Sequence, residues 1–212
     1  MYKPSGTPIR VMAVDDHPVF REGIGAMLAT QEDMKMVAEA STGREAVELF
    51  ALHKPDVTLM DLRLPDMSGL EAIAQIRQRF PLARMIVLTT YKGDVQALRA
   101  IKAGAFSYML KTMLRMHLLD TIRAVHGGQK RIPPEIASEM AEHAADDALT
   151  PRETEVLKQA AGGNANKVIA DKLSISEDTV KAHMKSILSK LGANDRTHAV
   201  TIAMRRGFLD LN

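Results

Sequence analysis

The sequence predicts two textures in one chain: an α/β unit doubly wound on a five-stranded parallel sheet, then an all-α unit of four short helices. Three observations support this. Apolar runs alternate with amphipathic stretches five times over residues 1–128, the alternation stops near residue 130, and helical periodicity alone continues from Thr150.

The strand runs are Ile9–Val14, Met36–Ala40, Val57–Met60, Met85–Leu88 and Ser107–Leu110. Each precedes a helical face. Phe20, Ile24, Met27 and Leu28 form the first; Ala46, Val47 and Phe50 the second; Leu70, Ile73, Ile76 and Phe80 the third. Val95, Leu98 and Ile101 keep the period more weakly, and Leu118, Leu119, Ile122 and Val125 close the series. Strand followed by helix, repeated, requires parallel pairing with helices on both faces. In such sheets ligands bind beyond the carboxyl ends of the strands, at the topological switch point.

Past "HGGQ" the segment "KRIPPEIASEMAEHAADDA" is polar and acidic with a Pro pair, and residues 129–149 read as a linker holding at most one short helix. "TPRE" at Thr150–Glu153 spells a capping box with Pro151 at the first helical position. Gly162 and Gly163 stop that helix, and a short one follows to Leu173. Ser176 caps the next, which runs to the stop at Gly192, and a last helix spans about Asp195 to Arg206. The short helix starts poorly. Ala165-Asn166-Lys167-Val168 offers neither side chain of a capping box, which leaves Asn164 or Asn166 as the alternative cap.

Composition bounds the chemistry. The chain has 212 residues, 46% apolar and 25% charged, as in ordinary globular proteins. Cysteine is absent, which excludes disulfides, thiolate nucleophiles and Cys-ligated metals and suits a reducing, cytoplasmic setting. The opening "MYKPSGTPIR" has no apolar stretch of signal-peptide length, and no segment reaches membrane-spanning length. The net charge of +2 is uneven: +2 over residues 1–128, −3 over 129–149 and +3 over 150–212. Between Thr179 and Asn194 there are three lysines and no acid, a basic stripe compatible with nucleic acid.

The motif "RVMAVDDHPV" ends a buried strand on two adjacent carboxylates, each raising the cost of ionising the other. The other strand ends explain it. Asp61 closes the third strand in "LMDLRLPDMSG", Thr89 the fourth in "VLTT" and Lys111 the fifth in "YMLK". With Asp15 and Asp16, five polar residues converge on one sheet edge. Three carboxylates together call for a cation, and all-oxygen ligands select Mg²⁺ or Mn²⁺. A carboxylate beside such a cation, an ammonium and a hydroxyl is equipped to attack phosphorus. His17 abuts the acids, but no second histidine stands at metal-ligand spacing, so it reads as a neighbour of the first helix.

The set DD, D-x-x-x-P-x-x-x-G, T and K resembles the receiver domain of two-component response regulators, a flavodoxin-like fold, over residues 8–128. The resemblance implies that Asp61 accepts a phosphoryl group from a histidine kinase. It implies Mg²⁺ on Asp16 and Asp61 directly, on Asp15 through water and on the Arg63 carbonyl. Thr89 and Tyr108 become the switch pair, and Lys111 contacts the phosphoryl group. Many receivers place a cis proline after this lysine, whereas Thr112 stands here.

Residues 150–212 resemble the helix-turn-helix domain of the LuxR/NarL class, through "LTPRETEVL" and "NKVIADKLSISEDTVKAHMKSILSKLGANDRTHAV". A recognition helix needs small or basic side chains near its start to enter the major groove. Lys181, Ala182 and Lys185 are the candidates for base edges, and Thr179, Asn166, Lys167 and Lys190 for phosphates. Val180, Ile187, Leu188 and Leu191 fall on the opposite, core face. The expected organisation is thus a receiver at 1–128, a linker at 129–149 and a DNA-binding domain at 150–212. The expected partners are a histidine kinase, double-stranded DNA and, once phosphorylated, a second copy, with no membrane. The rival class is an Asp-nucleophile phosphohydrolase. That chemistry needs a second Asp two residues after the first as general acid, where this chain has Arg63.

Overall fold

Five parallel strands form one sheet in the order β2-β1-β3-β4-β5, where β1 is Ile9–Val14, β2 Met34–Ala40, β3 Val57–Asp61, β4 Met85–Thr89 and β5 Ser107–Leu110. A computed structural model describes residues 7–90, 93–132, 134, 137–138 and 149–209. The intervening helices are α1 (Pro18–Ala29), α2 (Gly43–His53), α3 (Gly69–Arg79), α4 (Asp94–Ala103) and α5 (Leu114–His126). The chain order reverses between β1 and β3, so the carboxyl ends of those strands bound the switch-point crevice.

The apolar runs form the strands because both faces of the sheet are buried. On one face Val11, Ala13, Leu59, Ile86, Leu88 and Met109 pack with Ile24 and Leu28 of α1 and Leu118, Ile122 and Val125 of α5. Each of these side chains larger than alanine contributes about 1.5–3 kcal/mol by leaving water. Elsewhere in this unit α2 meets α3, where the Phe50 and Phe80 rings lie 5.1 Å apart. Strand β2 starts two residues before the predicted Met36. Its register shifts between Val11 and Met12, and the extra residue breaks the pattern that an apolar run would show. Strands β3 and β4 each extend one polar residue further than predicted, since Asp61 pairs opposite Leu88 and Thr89 opposite Leu110. After β5 the chain enters a 3₁₀ turn at Lys111–Met113, and among the described residues there is no cis peptide bond.

The chain divides into two compact units, the second holding the C-terminal helices. These are α6 (Pro151–Ala161), α7 (Asn166–Leu173), α8 (Glu177–Leu191) and α9 (Arg196–Arg206). Their core gathers Val156, Leu157, Ile169, Val180, Ile187, Ala199 and Ala203. Thr150 and Glu153 form the predicted capping box of α6, Ser176 accepts from the Thr179 N–H to cap α8, and Gly192 ends α8 in the left-handed region at φ 59°. The short helix expected within the linker falls mostly outside the described residues.

Helix α7 has Ala165 at its N-cap and no side-chain cap. Neither asparagine replaces it. The Asn164 amide donates to Gln159 O at 3.0 Å, and Asn166 Oδ1 accepts from Arg196 at 3.3 Å. Ala165→Ser is therefore expected to stabilise the protein by about 1 kcal/mol. Denaturant unfolding of the full chain, followed on its C-terminal unit, checks this; no gain would mean that the first N–H groups of α7 are already satisfied.

Candidate functional site

The carboxyl ends of β1, β3, β4 and β5 deliver the predicted polar residues to one place. Asp15 follows β1 and is fully buried, Asp61 ends β3 with 4% exposure, and Thr89 ends β4, also buried. Lys111 follows β5 and reaches inward, its Nζ 2.7 Å from Asp61 Oδ2 and 2.6 Å from Asp15 Oδ2. The first contact is a hydrogen bond. The second is a close ion pair between two buried groups. Asp15 Oδ1 accepts from the His17 N–H at 3.0 Å, and Asp61 Oδ1 from the Arg63 N–H at 3.3 Å.

Burial pushes the Asp61 carboxyl up; the Lys111 ammonium opposes this, the Asp15 charge adds to it, and the net direction is upward. Burial alone would lower the Lys111 ammonium, but its contacts with Asp15 and Asp61 outweigh that and raise it. The lysine thus stays charged beside two buried carboxylates. Two further side chains attend the site. His17 Nδ1 lies 2.6 Å from Asp16 Oδ1 and 3.1 Å from Asp15 Oδ1, and the Phe20 ring centroid lies 4.6 Å from Lys111 Nζ. Sequence reasoning placed His17 outside the site and Phe20 in the core. The structure brings both against it, although only the DDH spacing carried any hint.

Ligand atoms of Asp15, Asp16, His17 and Asp61 all lie within 4.8 Å of one another. The buried Asp15 carboxylate, the exposed Asp16 carboxylate and Asp61 offer hard oxygen donors that fit a divalent cation. Tyr108 on β5 is fully buried, one strand over from Thr89.

In the second unit α7, the turn with Ser174 at φ 53° and α8 make a helix-turn-helix. Val180, Met184, Ile187 and Leu191 bury one face of α8, Met184 being an addition to the predicted core. Lys181, Ala182 and Lys185 are exposed together on another, with Lys181 Nζ 3.0 Å from the exposed Asp178 carboxylate. Lys167 is exposed, and the half-buried Thr179 hydroxyl lies 2.7 Å from Ser176 Oγ. Two of the expected phosphate contacts also have partners within the domain. Lys190 Nζ donates to Glu153 Oε2 at 2.9 Å, and Asn166 meets Arg196, which also donates to the Ala160 and Asn164 carbonyls. Among the described residues no helix is long and apolar enough to cross a membrane.

A doubly wound sheet with an acid cluster, threonine and lysine at its switch point, joined to a helix-turn-helix, defines a receiver-type regulator. The profile of the response regulator receiver domain matches residues 11–123, and that of bacterial regulatory proteins of the luxR family matches 147–203. The chain belongs to the response regulator family, with a LuxR-type DNA-binding domain, and it is not an enzyme. It is 40% identical to the transcriptional regulatory protein LiaR of Bacillus subtilis, over 93% of this chain and 97% of that one. A crystal structure of a LuxR-family response regulator from Aurantimonas sp. SI85-9A1 is 37% identical, with a TM-score of 0.62, over 66% of this chain and all of that one. A structure of two RcsB dimers bound to two parallel DNAs has a TM-score of 0.70 at 25% identity, covering 94% of this chain and 99% of that one.

Proposed function

We propose that phosphoryl transfer from a histidine kinase to Asp61 switches this chain into a dimer that binds two-fold DNA sites. The observation that carries the reading is the Lys111 ammonium held between two buried carboxylates, 2.6 Å from Asp15 Oδ2 and 2.7 Å from Asp61 Oδ2. Asp61 attacks phosphorus as the nucleophile, and the P–N bond to the donor imidazole breaks. Asp15, Asp16, Asp61 and the Arg63 carbonyl would hold Mg²⁺, or Mn²⁺ in its place. When bound, the ion supplies positive charge that neutralises phosphoryl oxygens. Lys111 meets the developing charge from the other side, and Thr89 donates a hydrogen bond to a phosphoryl oxygen. Thr89 and Tyr108 act as the switch pair that responds to phosphorylation, Tyr108 being buried on β5 one strand over from Thr89.

The receiver is assigned to residues 1–128, the linker to 129–149 and the DNA-binding domain to 150–212. Lys181, Ala182 and Lys185 read base edges in the major groove, while Thr179 and Lys167 contact phosphates. Asn166 and Lys190, which also bond within the domain, are proposed to contact phosphates as well. The dimer is supported by the RcsB dimers seen on DNA. A kinase donor and a DNA target both point to the cytoplasm.

The test is binding by anisotropy to duplexes that the phosphorylated chain itself selects from a random pool. Phosphodonor with Mg²⁺ is expected to tighten binding to selected duplexes. Lys181→Ala is expected to cost about 1–3 kcal/mol on selected duplexes and little on random ones. Equal losses on both would make Lys181 a phosphate contact.

A further inference from the structure

We infer that Asp66 is a positioning residue for the loop that follows Asp61, holding that loop by capping helix α2 from outside. The inference rests on the reading of Asp61 as phosphoacceptor and of the Arg63 carbonyl as a metal ligand.

The loop is closed at its neck. The Gly69 N–H donates to Leu62 O at 2.9 Å, and Arg63 bridges Ser68 in antiparallel fashion. A Cβ at Gly69 would stand 2.0 Å from the Asp61 carbonyl oxygen, so only glycine lets the chain return this closely. The Arg63 carbonyl lies in this neck. Nothing within the neck fixes the tip.

Asp66 fixes the tip. Its Oδ1 accepts from the Gly43 N–H at 2.8 Å and its Oδ2 from the Arg44 N–H at 2.9 Å. Those are two of the N–H groups that a helix start leaves without intrahelical partners. The helix's own cap, Thr42, takes the Glu45 N–H at 3.1 Å and leaves the first two to the loop. The surfaces also match, since a Cβ at Gly43 would stand 2.4 Å from Met67 Cγ. Two parallel hydrogen bonds to one carboxylate fix orientation as well as distance, and a carboxylate at a helix N-terminus is favoured electrostatically. Held at neck and tip, the loop presents its carbonyl without further ordering when an ion binds. Freed at the tip, it must be ordered at that moment, and affinity falls.

The experiment measures Mg²⁺ binding to the full-length chain by titration calorimetry, together with the rate of phosphorylation by acetyl phosphate. Asp66→Ala is expected to weaken Mg²⁺ binding by about tenfold, the low end for losing a supporting partner of a metal ligand. Its phosphorylation rate should fall at low Mg²⁺ and recover at saturating Mg²⁺. Asp66→Asn, which keeps one acceptor oxygen, should lie between. Thr42→Ala loosens the same helix start without touching the loop, and should leave Mg²⁺ affinity unchanged. Unchanged Mg²⁺ affinity in Asp66→Ala, or an equal loss in Thr42→Ala, overturns the inference. Asp61→Asn separates the two levels: labelling equal to the parent chain defeats the phosphoacceptor reading itself. Lost labelling there, with Asp66→Ala indistinguishable from the parent, defeats only the positioning role.

Discussion

Replacing Glu153 with alanine is expected to cost the C-terminal unit about 3 kcal/mol, measured by hydrogen exchange of the Val156, Leu157 and Ile187 amides in the full chain. Glu153 is 4% exposed and fully engaged. Its Oε1 accepts from the Ser186 hydroxyl at 2.7 Å, and its Oε2 from the Thr150 N–H at 2.8 Å and from Lys190 Nζ at 2.9 Å. Burial alone would push this carboxyl up. The Ser186 hydroxyl, the Thr150 N–H and the Lys190 ammonium outweigh it and hold the carboxyl at about 2, against an ordinary 4.5. A carboxyl depressed by folding contributes stability that is complete above its unfolded value and lost as the pH falls through its folded one. The contribution should therefore be intact above pH 4.5 and disappear toward pH 2. Glu153→Gln keeps acceptor capacity and should lose less, with no pH dependence from this site in that window. A loss under about 1 kcal/mol in Glu153→Ala would mean that water replaces the buried contacts at little cost.

Most of the fold was legible because hydrophobic burial is written in local patterns. The runs at Ile9–Val14 and Ser107–Leu110 became strands over those same residues, and the caps at Thr150 and Ser176 open helices where the sequence put them. The bulge in β2 was not legible. Its extra residue is set by pairing with β1, which no local pattern encodes. The candidate site was legible at Asp15, Asp61, Thr89 and Lys111 because a parallel sheet brings the ends of its strands to one edge whatever the loops do. Contacts made by side-chain direction were lost. His17 folds back on the acids from an extended N-cap, and Phe20, which packs against the core as its helix face predicts, also reaches Lys111. Lys190 looked like one more member of a basic stripe, since nothing in its spacing announces a partner 37 residues earlier. Asp66 looked like loop polarity for the same reason, its partners lying 22 and 23 residues away.

Loss of phosphorylation in Asp61→Asn is the other large effect expected. An amide in place of the carboxylate removes the proposed nucleophile and one proposed anionic ligand while preserving shape. Lys111 keeps its contact with Asp15, so the variant is expected to fold. Burial raises the Asp61 carboxyl, and the Lys111 ammonium 2.7 Å away opposes the rise. The direct measurement is intact mass after incubation with acetyl phosphate and Mg²⁺. The parent chain should gain the mass of one phosphoryl group, and should gain none when a chelator removes the metal. Asp61→Asn should gain none under any of these conditions; labelling of that variant to the extent of the parent would contradict the assignment of Asp61 as the phosphoacceptor.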